Sequence, residues 1–136
     1  MLLITPTVEL GWKAPHFTLP DPDQNPHSMS DLMGENGLLV AFICNHCPYV
    51  QAIADRFIED AKTLQSEGIG VVAVMSNDYR HLQVDSPPNM KRFADAHGFS
   101  FPYLVDEDQS VGQSFGAVCT PDFFGLNSAG ELQYRG

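Results

Sequence analysis

The chain has 136 residues, of which 43% are hydrophobic, and a formal charge of −10; this is enough for one domain with its own core and excludes a disordered polypeptide. The acidic excess is spread among basic residues, with no basic patch, which argues against nucleic acid or an anionic membrane as partner. Met1-Leu2-Leu3-Ile4 is apolar but stops at Thr5-Pro6 without a basic lead, so it is read as neither signal peptide nor membrane span. Three cysteines, Cys44, Cys47 and Cys119, are too few for a disulfide-built scaffold. The expected location is cytoplasmic, where paired cysteines are more often catalytic or metal-binding than structural.

No repeat, low-complexity run or linker divides the chain, so residues 1–136 are expected to form a single domain. Gly11 to Asp21 alternates apolar and polar residues between prolines and suits a short edge strand. Asp21 to Ser28 is turn chemistry, and Ser30-Asp31-Leu32-Met33-Gly34 reads as one helical turn capped by Ser30. Gly37 to Ile43 is a continuous apolar run, hence a strand buried on both faces. Pro48 sits at a first-turn position, after which Val50, Ile53, Ala54, Phe57, Ile58, Ala61 and Leu64 recur at helical spacing up to a stop at Gly68. Ile69 to Met75 is a second buried strand.

After a long loop to Asp85, Ser86 with Pro87 and Pro88 opens a helix that ends at His97-Gly98. Phe101 to Val105 is a short strand. Asp106, Glu107 and Asp108 place negative charge at the start of a further helix, as its dipole favours. Two final strands, Asp122 to Leu126 and Glu131 to Arg135, flank the turn Asn127-Ser128-Ala129-Gly130. The order is strand, helix, strand, helix, then an antiparallel hairpin, which is an α/β chain with helices on both faces of a mixed sheet.

Cys44-Asn45-His46-Cys47-Pro48 lies where the first central strand hands over to the long helix, the edge at which chemistry collects in open α/β sheets. A cysteine at a helix N-terminus faces unpaired N–H groups and the positive end of the dipole. Both favour thiolate, the nucleophilic form. Cys47, directly before Pro48, holds that position; Cys44 belongs to the strand's exit. The plain alternative is a pair of small buried hydrophobes, because free cysteine is among the most buried residue types.

Three segments carry a family resemblance: Gly11-x-x-Ala14-Pro15-x-Phe17-x-Leu19-Pro20-Asp21, Phe42-Ile43-Cys44-Asn45-His46-Cys47-Pro48, and Cys119-Thr120-Pro121-Asp122-Phe123-Phe124. Through them the chain resembles the redoxin branch of the thioredoxin superfamily, of the alkyl hydroperoxide reductase/thiol-specific antioxidant type, in a subgroup bearing Asn-His-Cys-Pro. The resemblance implies a thioredoxin-like fold: a central mixed sheet flanked by helices, with an N-terminal extension. The helix that normally follows the last strand is expected to be absent before Gly136, which would leave a sheet face uncovered; truncation, disorder or a partner chain would each account for it. It also implies that Thr120–Pro121 is a cis-proline loop packed against Cys47, with Cys119 nearby. His46, Pro48, Thr120 and Pro121 then form the rim that meets substrate.

Against the family pattern, His46 stands where tryptophan is usual, Val50 where the resolving cysteine falls, and Ala41 where thioredoxin keeps a buried acid. The peroxiredoxin Pro-x-x-x-Thr/Ser-x-x-Cys becomes Val40, Cys44 and Cys47, so the hydroxyl that orients peroxide is replaced by a thiol. The reading is a thiol–disulfide oxidoreductase or antioxidant protein in which Cys47 attacks and either Cys44 or Cys119 resolves. The alternatives are a peroxidase of low activity, a non-catalytic binding module, and a zinc site built from Cys44, His46, Cys47 and Cys119. No cofactor or metal is assigned. Expected partners are protein or small-molecule disulfides and thiols and a recycling reductant; a homodimer is left open. Tyr49 and Arg80 are weaker rim candidates, and Trp12 and Phe17 are assigned to the core.

Overall fold

The computed structural model describes residues 10–45, 47–77, 83–117 and 120–136. In chain order these form β1 (Thr18–Pro20), β2 (Pro26–Ser28), α1 (Met29–Leu32), β3 (Gly37–Phe42), α2 (Pro48–Ser66) and β4 (Ile69–Met75). A single 3-10 turn (Gln83–Asp85) precedes α3 (Pro87–His97), β5 (Tyr103–Val105), α4 (Ser110–Phe115), β6 (Asp122–Leu126) and β7 (Leu132–Arg135). Five strands make one sheet in the order β5-β4-β3-β6-β7. β3, β4 and β5 run parallel, while β6 and β7 are antiparallel additions on the other side of β3. This is the mixed sheet the element order predicts.

Side-chain alternation on the central strands splits the core into two layers. Leu38, Val40 and Phe42 of β3, Val72 and Val74 of β4, and Phe124 and Leu126 of β6 face one side, with Phe17, Phe115 and the N-terminal segment. Phe115 is the hub of that layer, with ring centroids 5.5 Å from Phe42, 5.3 Å from Phe124 and 6.0 Å from Phe17. Ala41, Ile43, Val71, Ala73 and Met75 face the other side, against α2, Met90 of α3, Phe101 and Tyr103; Cys44 and Cys47 belong to this second layer. α2 is held there by its apolar stripe: Val50, Ala54, Phe57, Ile58 and Ala61 are buried, and each large side chain of that kind contributes roughly 1.5–3 kcal/mol by leaving water. Ile53 and Leu64, at the edge of the stripe, instead line an apolar groove of about 710 Å³ with Leu39, Phe57, Phe123 and Tyr134, between α2 and the β6–β7 face.

Five expectations need correction. The short edge strand expected in Gly11–Asp21 is confined to Thr18–Pro20, which pairs with β2 in a separate two-stranded ribbon. Further back, Lys13 makes an isolated bridge to Glu131. β2 lies inside the stretch read as turn, because Asp21 Oδ1 collects the Asp23 and Asn25 N–H groups (2.9 Å each) and closes the turn by Asn25. The α1 cap is Ser28, whose hydroxyl accepts from the Asp31 N–H at 3.2 Å, so the helix starts before Ser30. The strand read from Phe101 begins only at Tyr103, and β7 begins at Leu132, since Glu131 is taken up by the Asn127 turn. At α4 the first residue of the acidic trio dominates. Asp106, fully buried, accepts from the Val111 and Gly112 N–H groups (3.2 and 2.8 Å) and from Ser76 Oγ (2.6 Å), tying the helix start to the end of β4.

Other local signals act as read. Pro48 is in the first turn of α2. Gly98 ends α3 in the left-handed conformation (φ 68°), with its N–H reaching back to Ala94 and Asp95 carbonyls. Gly70 has a different reason: a Cβ there would run into the Leu32 carbonyl, so only glycine lets β4 pass the end of α1.

Candidate functional site

Cys44 and Cys47 stand at the C-terminal edge of the sheet, where β3 ends and α2 begins. Cys47 is the N-cap residue of α2, with extended backbone (φ −69°, ψ 120°) and Pro48 next in line. Its thiol reaches the carbonyl of Thr120 at 3.4 Å. Cys44 Sγ lies 3.5 Å from the Thr120 hydroxyl. The Thr120–Pro121 peptide is cis, as the resemblance implies. One residue, Thr120, is thus shared by both sulfurs, although it lies more than seventy positions further along the chain. Both cysteines are free thiols, and both are buried, Cys44 at 1% and Cys47 at 7% exposure.

The two thiols are electrostatically unlike. At Cys47 burial works against ionisation, but the Thr120 hydroxyl, the Val50 and Tyr49 N–H groups and the Cys44 thiol outweigh it, and the pKa falls below the ordinary value. The sulfur closes no capping hydrogen bond of full geometry; the N–H groups of the first helical turn add to the larger effect of Thr120. At Cys44 deeper burial pushes the pKa up, partly opposed by the Thr120 hydroxyl and reinforced by the negative charge of Asp85. At a given pH Cys47 therefore carries more of the nucleophilic thiolate than Cys44 does.

Beneath the Cys44–Cys47 loop lies a polar cluster that sequence reasoning missed. Asn45, only 5% exposed, donates its backbone N–H to Asp85 Oδ1 at 2.8 Å and its side-chain amide to the Val84 carbonyl at 2.9 Å. It accepts from the Tyr103 hydroxyl at 2.9 Å and, on its carbonyl, from Gln51 Nε2 at 2.9 Å. Asp85 has no exposed surface and also accepts from Asn77 Nδ2 at 3.2 Å. Burial, then the charges at Cys44 and Asp85, push the Tyr103 phenol well above its usual pKa, so it stays a hydroxyl donor. The available signal was an acid just before Ser86-Pro87-Pro88, on a segment returning from the same sheet edge as Cys47. Read along the chain alone, it looks like an ordinary helix-opening charge.

Of the other candidates, Pro48 and Tyr49 sit on the exposed rim, with Tyr49 at 74% exposure. Val50 is buried under the loop and Ala41 is within the core. His46, Cys119 and Arg80 lie outside the described residues. Among the described residues no group of three or more His, Cys, Asp and Glu side chains is placed to hold a metal, and two members of the four-ligand zinc reading, His46 and Cys119, fall outside them. No helix among the described residues is long and apolar enough to cross a membrane.

Comparison with known proteins agrees with this geometry. Residues 10–135 match the AhpC/TSA family. Peroxiredoxin Bcp of Escherichia coli is 27% identical over 118 residues, which is 87% of this chain and 70% of Bcp. The thiol-disulfide oxidoreductase ResA of Geobacillus thermodenitrificans is 25% identical over 127 residues, 93% of this chain and 68% of ResA. Among solved structures, a hypothetical protein of Sinorhizobium meliloti superposes with a TM-score of 0.92 at 37% identity, over 96% of this chain and 72% of its own. With its mixed five-stranded sheet, its helix-capping cysteine and its cis-proline loop, the chain belongs to the AhpC/TSA family and is an oxidoreductase of thioredoxin-like fold.

Proposed function

We propose that this protein is a thiol–disulfide oxidoreductase in which Cys47 attacks and Cys44 resolves. The observation that carries the proposal is the convergence of both sulfurs on Thr120, at 3.4 and 3.5 Å, with opposite pKa shifts. The Cys47 thiolate attacks one sulfur of a substrate disulfide, forming a mixed disulfide and expelling the other sulfur as thiolate. Cys44 then gives up its proton and attacks Cys47 Sγ. The second substrate sulfur leaves as a thiol, and a Cys44–Cys47 disulfide is formed. An external dithiol donates two electrons to restore both thiols. Thr120, Pro121 and Pro48 border the reacting sulfur and form the surface against which substrate packs.

Peroxide is a second oxidant for the same couple. Attack of the Cys47 thiolate on a hydroperoxide yields a sulfenic acid and an alcohol, and condensation with the Cys44 thiol releases water and gives the same disulfide. The Thr120 hydroxyl beside both sulfurs favours this reading, as does the likeness to a peroxiredoxin. Both reactions belong in a reducing compartment, and the cytoplasm is the proposed setting.

Mass spectrometry tests the pairing. Oxidised parental protein is expected to lose two hydrogens and yield a Cys44–Cys47 cross-linked peptide. In Cys44→Ser the adduct of Cys47 with a disulfide substrate should instead accumulate. A Cys47–Cys119 peptide in the parent, with Cys44→Ser turning over normally, would transfer the resolving role to Cys119. Insulin reduction measured beside peroxide consumption ranks the two oxidants.

A further inference from the structure

The redox couple depends on how the short loop between its sulfurs is held, because a disulfide forms only when its Cα atoms come within ~4.4–6.8 Å with the side chains suitably aimed. Two loop residues separate the cysteines, and the first, Asn45, is gripped on all its polar groups. Its N–H goes to Asp85, its amide NH2 to the Val84 carbonyl, its amide oxygen to Tyr103, and its carbonyl to Gln51. Three of these partners come from the 3-10 turn and β5, elements remote in sequence from the cysteines. Asp85 is the fully buried member. Its second oxygen is held by Asn77 at the end of β4, so the carboxylate joins the ends of two central strands through the loop. None of these bonds reaches Cys47 Sγ, whose own contacts are Thr120, Cys44 and the first turn of α2.

Resting on the reading that Cys44 resolves Cys47, we propose that Asp85 is a positioning residue for this step: its carboxylate anchors the Asn45 backbone and holds Cys44 in line with the sulfur it must attack. A small error in that alignment lowers the effective concentration of Cys44 at Cys47. It has little effect on the first attack, because Cys44 is the smallest of the groups that lower the Cys47 pKa, after Thr120 and the first turn of α2. The charge on Asp85 is secondary to the bond, so asparagine, which keeps an oxygen acceptor for the Asn45 N–H, should preserve the alignment. A flip of the Asn77 amide would match the new side chain.

The test separates the two steps by stopped-flow: alkylation of Cys47 in reduced protein, and closure of the Cys44–Cys47 disulfide after Cys47 is loaded with a small aromatic disulfide. Asp85→Ala is expected to slow closure by about tenfold or more and to leave Cys47 alkylation within about twofold of the parent. Asp85→Asn is expected to restore closure to within about threefold. Closure at the parental rate in Asp85→Ala overturns the proposal, as does an equal slowing of both steps, which would mark a residue of stability only. Should Asp85→Ala fail to fold, Tyr103→Phe removes another of the loop's holds and should slow closure alone; unchanged closure there overturns the anchor. A parental protein that never forms the Cys44–Cys47 disulfide overturns this proposal together with the one beneath it. Parental closure matched by Asp85→Ala overturns the anchor alone.

Discussion

Cys47→Ser is expected to lower disulfide-reducing and peroxide-consuming turnover by about three orders of magnitude or more, because serine's hydroxyl stays protonated at neutral pH and is a far weaker nucleophile than a thiolate. The fold should be kept: the substitution is nearly isosteric, and the N-cap position of α2 favours serine. Cys44→Ser, by contrast, keeps the first attack and loses the second. The pH dependence follows from the direction of the Cys47 shift. Its pKa is lowered in the folded protein, so thiolate persists to lower pH than in an unperturbed cysteine. The alkylation rate of Cys47 should therefore pass its midpoint at lower pH than that of an unperturbed thiol and fall about tenfold for each further unit of acid. Cys44, shifted upward chiefly by burial, should alkylate only at more alkaline pH. Turnover within tenfold of the parent in Cys47→Ser, or a common pH midpoint for both cysteines, would contradict the assignment.

Arg135→Met is expected to cost about 3–5 kcal/mol of folding stability, seen as a drop in Tm on the order of 10 °C. Arg135 and Asp122 form a two-pronged pair, with Nη2 at 2.9 Å and Nε at 3.3 Å from the carboxylate oxygens, and their side chains are 6% and 1% exposed. The guanidinium also donates to the Gly116 carbonyl at 2.7 Å and lies 4.6 Å above the Phe124 ring. Removing it strands a buried carboxylate at the start of β6, where Asp122 lies opposite Phe42 in the sheet. Adding Asp122→Leu to Arg135→Met should recover much of the loss, because the penalty comes from the unpaired charge rather than from the missing pair. Thermal melts of the two single variants and the double variant complete the cycle. Additive losses in the double variant would show that the charge is not what costs stability.

The elements legible in the sequence are those whose signal is local and strong. The apolar run of β3, the stripe of α2 and the Gly98 stop of α3 each declare themselves within one turn or one strand. The cysteine at the helix start was readable for the same reason. The errors arose where the deciding partner is distant. Ser28 rather than Ser30 caps α1, because the chain is already bent there by Phe17, whose carbonyl receives the Met29 N–H at 2.9 Å. The clamp on Asn45 was invisible because its partners, Val84, Asp85 and Tyr103, are about forty to sixty positions away and carry no motif. The gap where thioredoxin keeps a buried acid falls at Ala41, within a single strand, and rests on the family pattern alone. An acid arriving from another element has no sequence signature of that kind.

The division of the core by the central sheet has a practical consequence. The sulfurs, α2 and the Asn45 cluster share one layer, while Phe115 and its aromatic neighbours fill the other. Free-energy changes on opposite sides of a close-packed sheet, with no shared partners, combine by simple addition. Stabilising replacements can therefore be accumulated around Phe115 to raise the tolerance of the whole domain. The reserve so created is available to the opposite face, where changes that retune the thiols at a cost in folding can then be accepted.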